Sequence, residues 1–144
     1  MKPNEVFLSH SSLDRSSASR LASELVRHGI RVWYSKTSIK GAQQWHDEIG
    51  QALKRCDWFI ILLSPHSIDD KAIWVKRELM YALRQYRFKN RIVPVILEPC
   101  DVEALSWVLP DLQLVDFSLS FEDGCREILG LWEIPLKPLS DPGK

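Results

Sequence analysis

Five short stretches of the chain consist almost entirely of apolar residues, and segments with a different spacing separate them. Because side chains alternate along a strand, a strand that is apolar at every position is buried on both faces. Parallel sheets covered by helices have this property, whereas the strands of a half-exposed sheet alternate. The five predicted strands are residues 6–8, 30–34, 58–63, 92–97 and 112–117.

The segments between these runs carry apolar residues three and four positions apart, as amphipathic helices do. The first helix is predicted over residues 16–28, and Gly29 stands where a C-terminal cap is expected. The apolar stripes of the first three helices are Ala18, Leu21, Ala22, Leu25 and Val26; Trp45, Ile49, Ala52 and Leu53; and Val75, Leu79, Ala82, Leu83 and Tyr86. Residues 102–108 and 121–132 predict two more helices. This alternation is typical of a doubly wound α/β domain.

Two proline-containing segments modify this plan. Pro94 lies inside the fourth predicted strand and removes a ladder hydrogen bond, so we expect a bulge or a local loss of pairing there. Residues 133–144 hold three prolines without any periodicity, which is typical of a linker or a disordered end. We therefore assign residues 1–132 to one domain and residues 133–144 to a proline-rich tail or linker.

Composition and charge narrow the class of partner. Nineteen Lys and Arg residues balance nineteen Asp and Glu residues, and a neutral chain has no overall positive charge to attract nucleic acid, so that partner is not suggested. The three cysteines are far apart and include no CxxC pair, so neither a zinc site nor a disulfide framework is expected. The first residues are polar, unlike a signal peptide, and the longest apolar run is too short to span a bilayer. We expect a cytoplasmic domain with no metal, no cofactor and no membrane contact.

The predicted topology indicates where a ligand would bind. In doubly wound sheets, ligands bind beyond the carboxyl ends of the strands, where the strand order reverses. If the order is 2-1-3-4-5, that point lies between the first and third strands. The residues delivered there are Ser9, His10 and Ser11 after the first strand and Ser64, Pro65 and His66 after the third. The loop of residues 35–44 overhangs the same edge.

Signatures of the common nucleotide and hydrolase sites are missing from the sequence. It contains no GxGxxG and no glycine-rich loop that ends in Lys-Ser or Lys-Thr, which disfavours a Rossmann dehydrogenase and a nucleoside triphosphatase. It also lacks the Gly-x-Ser-x-Gly turn of the α/β-hydrolases.

An acid on the third predicted helix is the remaining candidate for chemistry. At about 100° per residue, Glu78 borders the apolar stripe, and Trp74 lies one turn earlier on the same side. A carboxylate at the edge of an apolar face, beside an aromatic ring, would be partly desolvated, which tunes its ionisation. The alternative is that Glu78 is a solvated residue that pairs with Arg77 or Lys54, because glutamates on helix edges are common.

Five segments carry a further pattern when they are taken in order along the chain. They are residues 6–14 (VFLSHSSLD), 30–34 (IRVWY), 38–45 (SIKGAQQW), 56–65 (CDWFIILLSP) and 74–79 (WVKREL). Over about residues 5–132 they resemble Toll/interleukin-1 receptor (TIR) domains, and the Trp-x-x-x-Glu spacing resembles the NAD⁺-cleaving, bacterial branch. Two departures lie in the loop after the second strand, where the family often has an acid at Ser35 and a proline at Lys40.

The resemblance implies a flavodoxin-like three-layer fold with five parallel strands in the order 2-1-3-4-5. It also implies that Glu78 is the catalytic residue and that NAD⁺ is the substrate, cleaved at the nicotinamide–ribose bond. One carboxylate is sufficient for this reaction, because nicotinamide leaves as a neutral molecule and only an oxocarbenium-like ribose needs stabilisation. The residues that would contact the substrate are Ser9, His10, Trp33, Ser64 and Trp74.

Alternatives exist for individual residues and for the function. Trp33 lies in a strand and is more often a core residue, while His10 is as often a satisfied turn residue as a ligand contact. The leading hypothesis is an NAD⁺ nucleohydrolase or ADP-ribose cyclase of prokaryotic immune defence, with a sensor domain fused or separate. Ile39, Lys40 and Gly41 would mediate its self-association. The rivals are a non-catalytic adaptor acting through homotypic TIR–TIR contacts and a TIR-like enzyme with a different nucleotide or nucleoside substrate.

Overall fold

Strands and helices alternate along the chain in a computed structural model that describes residues 2–34, 42–69 and 73–138. The strands are β1 (Val6–Ser9), β2 (Val32–Trp33), β3 (Trp58–Leu63), β4 (Ile92–Ile96) and β5 (Val115–Asp116). The α-helices are α1 (Arg15–Arg27), α2 (Ala42–Arg55), α3 (Ile73–Arg84) and α4 (Phe121–Leu131).

The five strands form one parallel sheet in the order β2-β1-β3-β4-β5. Phe7 of β1 pairs with Trp33 of β2 on one side and with Phe59 of β3 on the other. The predicted fold class and strand order are confirmed. Because the order reverses at β1, the carboxyl ends of β1 and β3 meet at the crevice where ligands of such sheets bind.

Both faces of the sheet are buried, as the continuous apolar runs require. Val6 and Leu8 of β1 pack into a core with α1 and α4, whereas Phe7 packs on the opposite face with α2 and α3. β3 alternates in the same way, since Ile60 and Leu62 belong to the first core, whereas Phe59, Ile61 and Leu63 belong to the second. Helices on both faces make the domain a three-layer sandwich.

Helix α1 shows how the apolar stripe and the cap determine an element. Ala18, Leu21, Ala22 and Leu25 are buried, and Gly29 has φ 84°, a left-handed conformation that glycine adopts without a steric penalty. Val26 is wrongly included in the predicted stripe, because it is 58% exposed. At about 100° per residue it points roughly 90° away from the centre of the stripe.

Pro94 causes neither a bulge nor a loss of pairing with β3, so that prediction is wrong. The pairing of β3 with β4 runs without a break from Phe59↔Ile92 to Leu63↔Ile96 and includes Pro94. Leu97 N donates to Leu63 O and Phe117 N donates to Ile96 O, so odd residues of β4 face β3 and even residues face β5. The missing N–H of Pro94 therefore faces the β5 side, where pairing begins only at Val95↔Val115.

The fourth predicted helix is not an α-helix. Residues 102–111 form two short 3-10 turns, Val102–Ala104 and Leu109–Asp111. Ser106 Oγ accepts a hydrogen bond from Val108 N (3.4 Å), a local bond that competes with helical pairing. Pro110 has no N–H with which to continue a helix. The third helix also ends earlier than its stripe suggested, and Tyr86 is 86% exposed beyond it.

The first part of the predicted tail contacts the domain. Ile134 and Leu136 pack against the core that α1 and α4 cover, which includes the buried Trp132. Lys137 N donates to Nε2 of the buried His28 (2.9 Å). The structure describes this segment as far as residue 138.

Candidate active site

A cavity of about 270 Å³ opens at the carboxyl ends of β1 and β3, where the strand order reverses. The walls are formed by the end of β1 and the residues that follow it, by β2, by residues that follow β3 and by the first turns of α3. They are Leu8, His10, Ser11, Ser12, Leu13, Arg15, Trp33, His66, Asp69, Ile73, Trp74, Val75 and Glu78. Four of the predicted site residues, His10, Trp33, Trp74 and Glu78, thus line one cavity.

Glu78 points inward from α3 and is only 8% exposed. Ser9 Oγ, at the end of β1, donates a hydrogen bond of 2.6 Å to Glu78 Oε1. The alternative interpretation, a solvated glutamate that pairs with Arg77 or Lys54, is wrong, because the carboxylate is buried. No ion pair within the described residues involves it.

Burial raises the pKa of the Glu78 carboxyl from its ordinary value of 4.5 to about 7. Removing an ionised carboxylate from water is costly, so the protonated form is favoured in the apolar setting. The hydrogen bond from Ser9 stabilises the charged form and opposes this effect, but it is the smaller of the two causes. A carboxyl group with this pKa holds and releases a proton near neutral pH, as a group in acid–base chemistry must.

Two tryptophans supply aromatic surface to the cavity. Trp74 is half-buried one turn before Glu78, and the Arg77 guanidinium lies 5.4 Å from the centre of its ring. Trp33 stacks on Phe7 with ring centroids 5.0 Å apart. Trp33 therefore combines the two predicted roles, since one part of its ring packs on the core and another part lines the cavity.

Two nitrogen atoms in the cavity wall, one of His10 and one of Arg15, have no hydrogen-bond partner among the described residues. His10 Nδ1 lies 2.7 Å from Ser11 O, and because a carbonyl oxygen only accepts, this nitrogen carries a proton. His10 Nε2 and Arg15 Nε are both buried and have no hydrogen-bond partner among the described residues. Buried polar atoms are almost always paired in folded proteins, so a bound water or a ligand is expected to satisfy these two nitrogens.

Arg15 is a cavity residue that the sequence analysis did not place at the crevice, and His66 was placed there but was not predicted to contact the substrate. Arg15 is the first residue of α1, where a positive charge is unfavourable because it meets the positive end of the helix dipole. That local disagreement with helix electrostatics is the signal that could have identified Arg15. His66 follows β3 through a turn, and nothing in its spacing distinguishes it from a capping residue.

Ser9 and Ser64 do not line the cavity. Ser64 is fully buried, and its Oγ donates to Asp14 Oδ2 (2.5 Å) and accepts from His66 N (3.1 Å). Ser9 is 1% exposed and is engaged with Glu78. Both hydroxyls therefore hold the wall of the cavity in place. The predicted assembly residues Ile39, Lys40 and Gly41 lie outside the described residues.

The described residues offer neither a metal site nor a membrane segment. Within residues 2–34, 42–69 and 73–138, no three side chains of His, Cys, Asp or Glu are placed to hold a metal ion. No helix in this part of the chain has the length and apolar character that crossing a bilayer requires.

Fold and cavity together define a flavodoxin-like α/β domain with a buried carboxylate at its ligand crevice. A family model described as the TIR domain matches residues 6–129, and the chain belongs to the TIR-domain family. None of the curated proteins compared with the sequence matches it.

Two solved structures illustrate the likeness in fold. The TIR domain of the Toll-related receptor TRR-2 from Hydra magnipapillata is 18% identical, with a TM-score of 0.69 over 88% of this chain and 94% of that one. The TIR domains of the activated Roq1 resistosome, which directly recognizes the pathogen effector XopQ, are 17% identical, also with a TM-score of 0.69, over 88% of this chain and 98% of that one. At these identities the likeness concerns the fold.

Proposed function

We propose that this TIR domain is an enzyme that cleaves NAD⁺ at the nicotinamide–ribose bond. The observation that carries the proposal is the buried carboxylate of Glu78, which lines a cavity beside Trp74 and has a pKa of about 7. A buried acid is costly to maintain, and perturbed acids in a ligand crevice are concentrated at functional sites.

The reaction needs one negative charge near the sugar and no acid for the leaving group. When the bond between ribose C1′ and the pyridinium nitrogen breaks, its electron pair neutralises the pyridinium, and nicotinamide leaves without protonation. The ribose becomes an oxocarbenium-like cation, which the Glu78 carboxylate stabilises by charge in a desolvated setting. Water then bonds to C1′ and transfers a proton to Glu78, so that NAD⁺ and water yield nicotinamide, ADP-ribose and a proton.

Trp74 determines the fate of the cation in this proposal. Its half-buried ring borders the same cavity as Glu78 and would lie against the nicotinamide or the ribosyl cation. Exclusion of water by the ring favours an internal attack that closes a cyclic product. Free entry of water gives linear ADP-ribose.

We also propose that the domain is active in the cytoplasm as a self-associated form, in prokaryotic immune defence or signalling, with a sensor domain fused or separate. This part of the proposal rests on family membership and on the loop after β2. There, Ile39 is an apolar residue among Lys36, Lys40 and Gly41. An apolar residue on such a polar, glycine-containing loop is suited to contact a neighbouring copy.

The test is nicotinamide release from NAD⁺ by concentrated wild-type protein and by Glu78→Gln. We expect the variant to lose at least about a hundredfold in rate, the loss typical when a charge-stabilising group is removed. Glu127→Gln, which changes an exposed acid on α4 away from the cavity, should retain full activity. A folded Glu78→Gln protein with wild-type turnover would contradict the proposal. A concentrated wild-type protein that releases nothing would favour the adaptor, and release from another nucleoside in a substrate panel would favour a different substrate.

A further inference from the structure

The side chain of Arg15 is a positive group in the cavity wall that the proposed reaction leaves unused. Its Nε is buried without a hydrogen-bond partner among the described residues, and no ion pair in this part of the chain involves its guanidinium. Among the described residues no ion pair joins it to the adjacent acid, Asp14, whose carboxylate accepts the Ser64 hydroxyl (2.5 Å). A guanidinium has five N–H donors and cannot lose its charge, so its natural ligand is an anion.

Arg15 and Glu78 belong to elements that cover opposite faces of the sheet. Arg15 begins α1, which packs with α4, whereas Glu78 lies on α3, which packs with α2. Both side chains line the same cavity. The cavity therefore has a cationic side formed by α1 and a carboxylate side formed by α3, and a ligand that satisfies both must carry its negative charge away from the bond that is cleaved.

His10 also lines this cavity. Its Nδ1 donates to Ser11 O, so in the neutral ring the buried Nε2 can only accept a hydrogen bond. A sugar hydroxyl is a suitable donor. The wall thus offers a guanidinium for an anion at Arg15, an acceptor for a hydroxyl at His10 and a carboxylate for a cationic centre at Glu78.

We infer that Arg15 is a specificity-determining residue that binds the phosphate attached to the ribose that is cleaved, so that the domain selects phosphorylated nicotinamide nucleotides over the free riboside. The inference rests on the proposed function and adds the chemical class of its substrate. Two parallel N–H donors of a guanidinium match the oxygens of a phosphate or a diphosphate.

The experiment compares wild type with Arg15→Gln on NAD⁺, nicotinamide mononucleotide and nicotinamide riboside. Arg31→Gln is the matched control, because Arg31 is exposed and lies outside the cavity wall. In Arg15→Gln we expect KM to rise about tenfold to a hundredfold for the two phosphorylated substrates, the range for loss of a charged hydrogen bond. The kcat for these substrates and the KM for the riboside should stay within about twofold, and Arg31→Gln should match wild type. An unchanged KM for NAD⁺, or an equal loss on the riboside, would overturn the inference.

Binding measurements separate this inference from the proposed reaction. Calorimetry with ADP-ribose and with inorganic pyrophosphate needs no turnover, and both should bind more weakly to Arg15→Gln than to Arg31→Gln. If no protein releases nicotinamide but this difference is found, the proposed reaction fails and the anion site stands. In wild type, the KM for NAD⁺ should also rise with salt while that for the riboside does not, and a salt-independent KM for NAD⁺ would count against Arg15.

Discussion

Replacing Glu78 by glutamine should stabilise the domain at alkaline pH while it abolishes catalysis. Burial raises the pKa of the carboxyl from 4.5 to about 7, and each pKa unit corresponds to about 1.36 kcal/mol. Ionised Glu78 therefore lowers the free energy of unfolding by roughly 3 kcal/mol relative to its protonated form. Glutamine carries no charge, and its amide oxygen can accept the Ser9 hydroxyl in place of Oε1.

The sign of the pH dependence of the unfolding free energy follows from whether the native or the unfolded state holds the Glu78 proton more tightly. The native state keeps the Glu78 proton up to about pH 7, whereas the unfolded chain releases it near pH 4.5. Between these values the native state binds more protons, so wild type loses stability as the pH rises. The stability of Glu78→Gln minus that of wild type should therefore grow by roughly 3 kcal/mol between about pH 4.5 and pH 8 and then stay level.

Urea unfolding at closely spaced pH values measures this difference. The unfolding free energy is obtained from the midpoint and slope for wild type, Glu78→Gln and the exposed control Glu127→Gln. The control should follow wild type to within about 0.5 kcal/mol, as substitutions at exposed positions do. A difference between Glu78→Gln and wild type that is flat, or that shrinks as the pH rises, would refute the argument that burial perturbs this carboxyl.

Three further results are expected. Ser9→Ala removes the hydrogen bond that lowers the Glu78 pKa, so the acidic limb of kcat/KM should move to higher pH; an unmoved limb would mean that Ser9 does not act through Glu78. Trp74→Ala should shift products from cyclic towards linear ADP-ribose, whereas a lower melting temperature at a fixed product ratio would identify a packing residue. Specific activity should rise with protein concentration and fall in Ile39→Asp, and constant activity in both proteins would show that the monomer is competent.

Side-chain periodicity was sufficient to predict most of the architecture. Buried strands and amphipathic helices each have a characteristic spacing of apolar residues, because backbone geometry over a few residues determines which side chains share a face. Glu78 and Trp74 could be paired for the same reason, since one helical turn places them on the same side. The predictions at Pro94 and at residues 102–108 were wrong because the local sequence is compatible with two structures at each place. The neighbouring strand decides between them at Pro94, and a side-chain hydrogen bond contributes to the decision at residues 102–108.

The chemistry of the site depends on contacts between distant parts of the chain. Ser9 and Glu78 are 69 residues apart, and Ser64 and Asp14 are 50 apart. The sequence identified these serines as strand-end polar groups but could not tell that they face the protein instead of a ligand. Only the tertiary structure shows that Arg15 Nε is buried without a partner in the described residues. Desolvation and hydrogen bonding depend on every element that surrounds a group. The ionisation of Glu78 and the unpaired donor of Arg15 are therefore properties of the assembled sheet and helices.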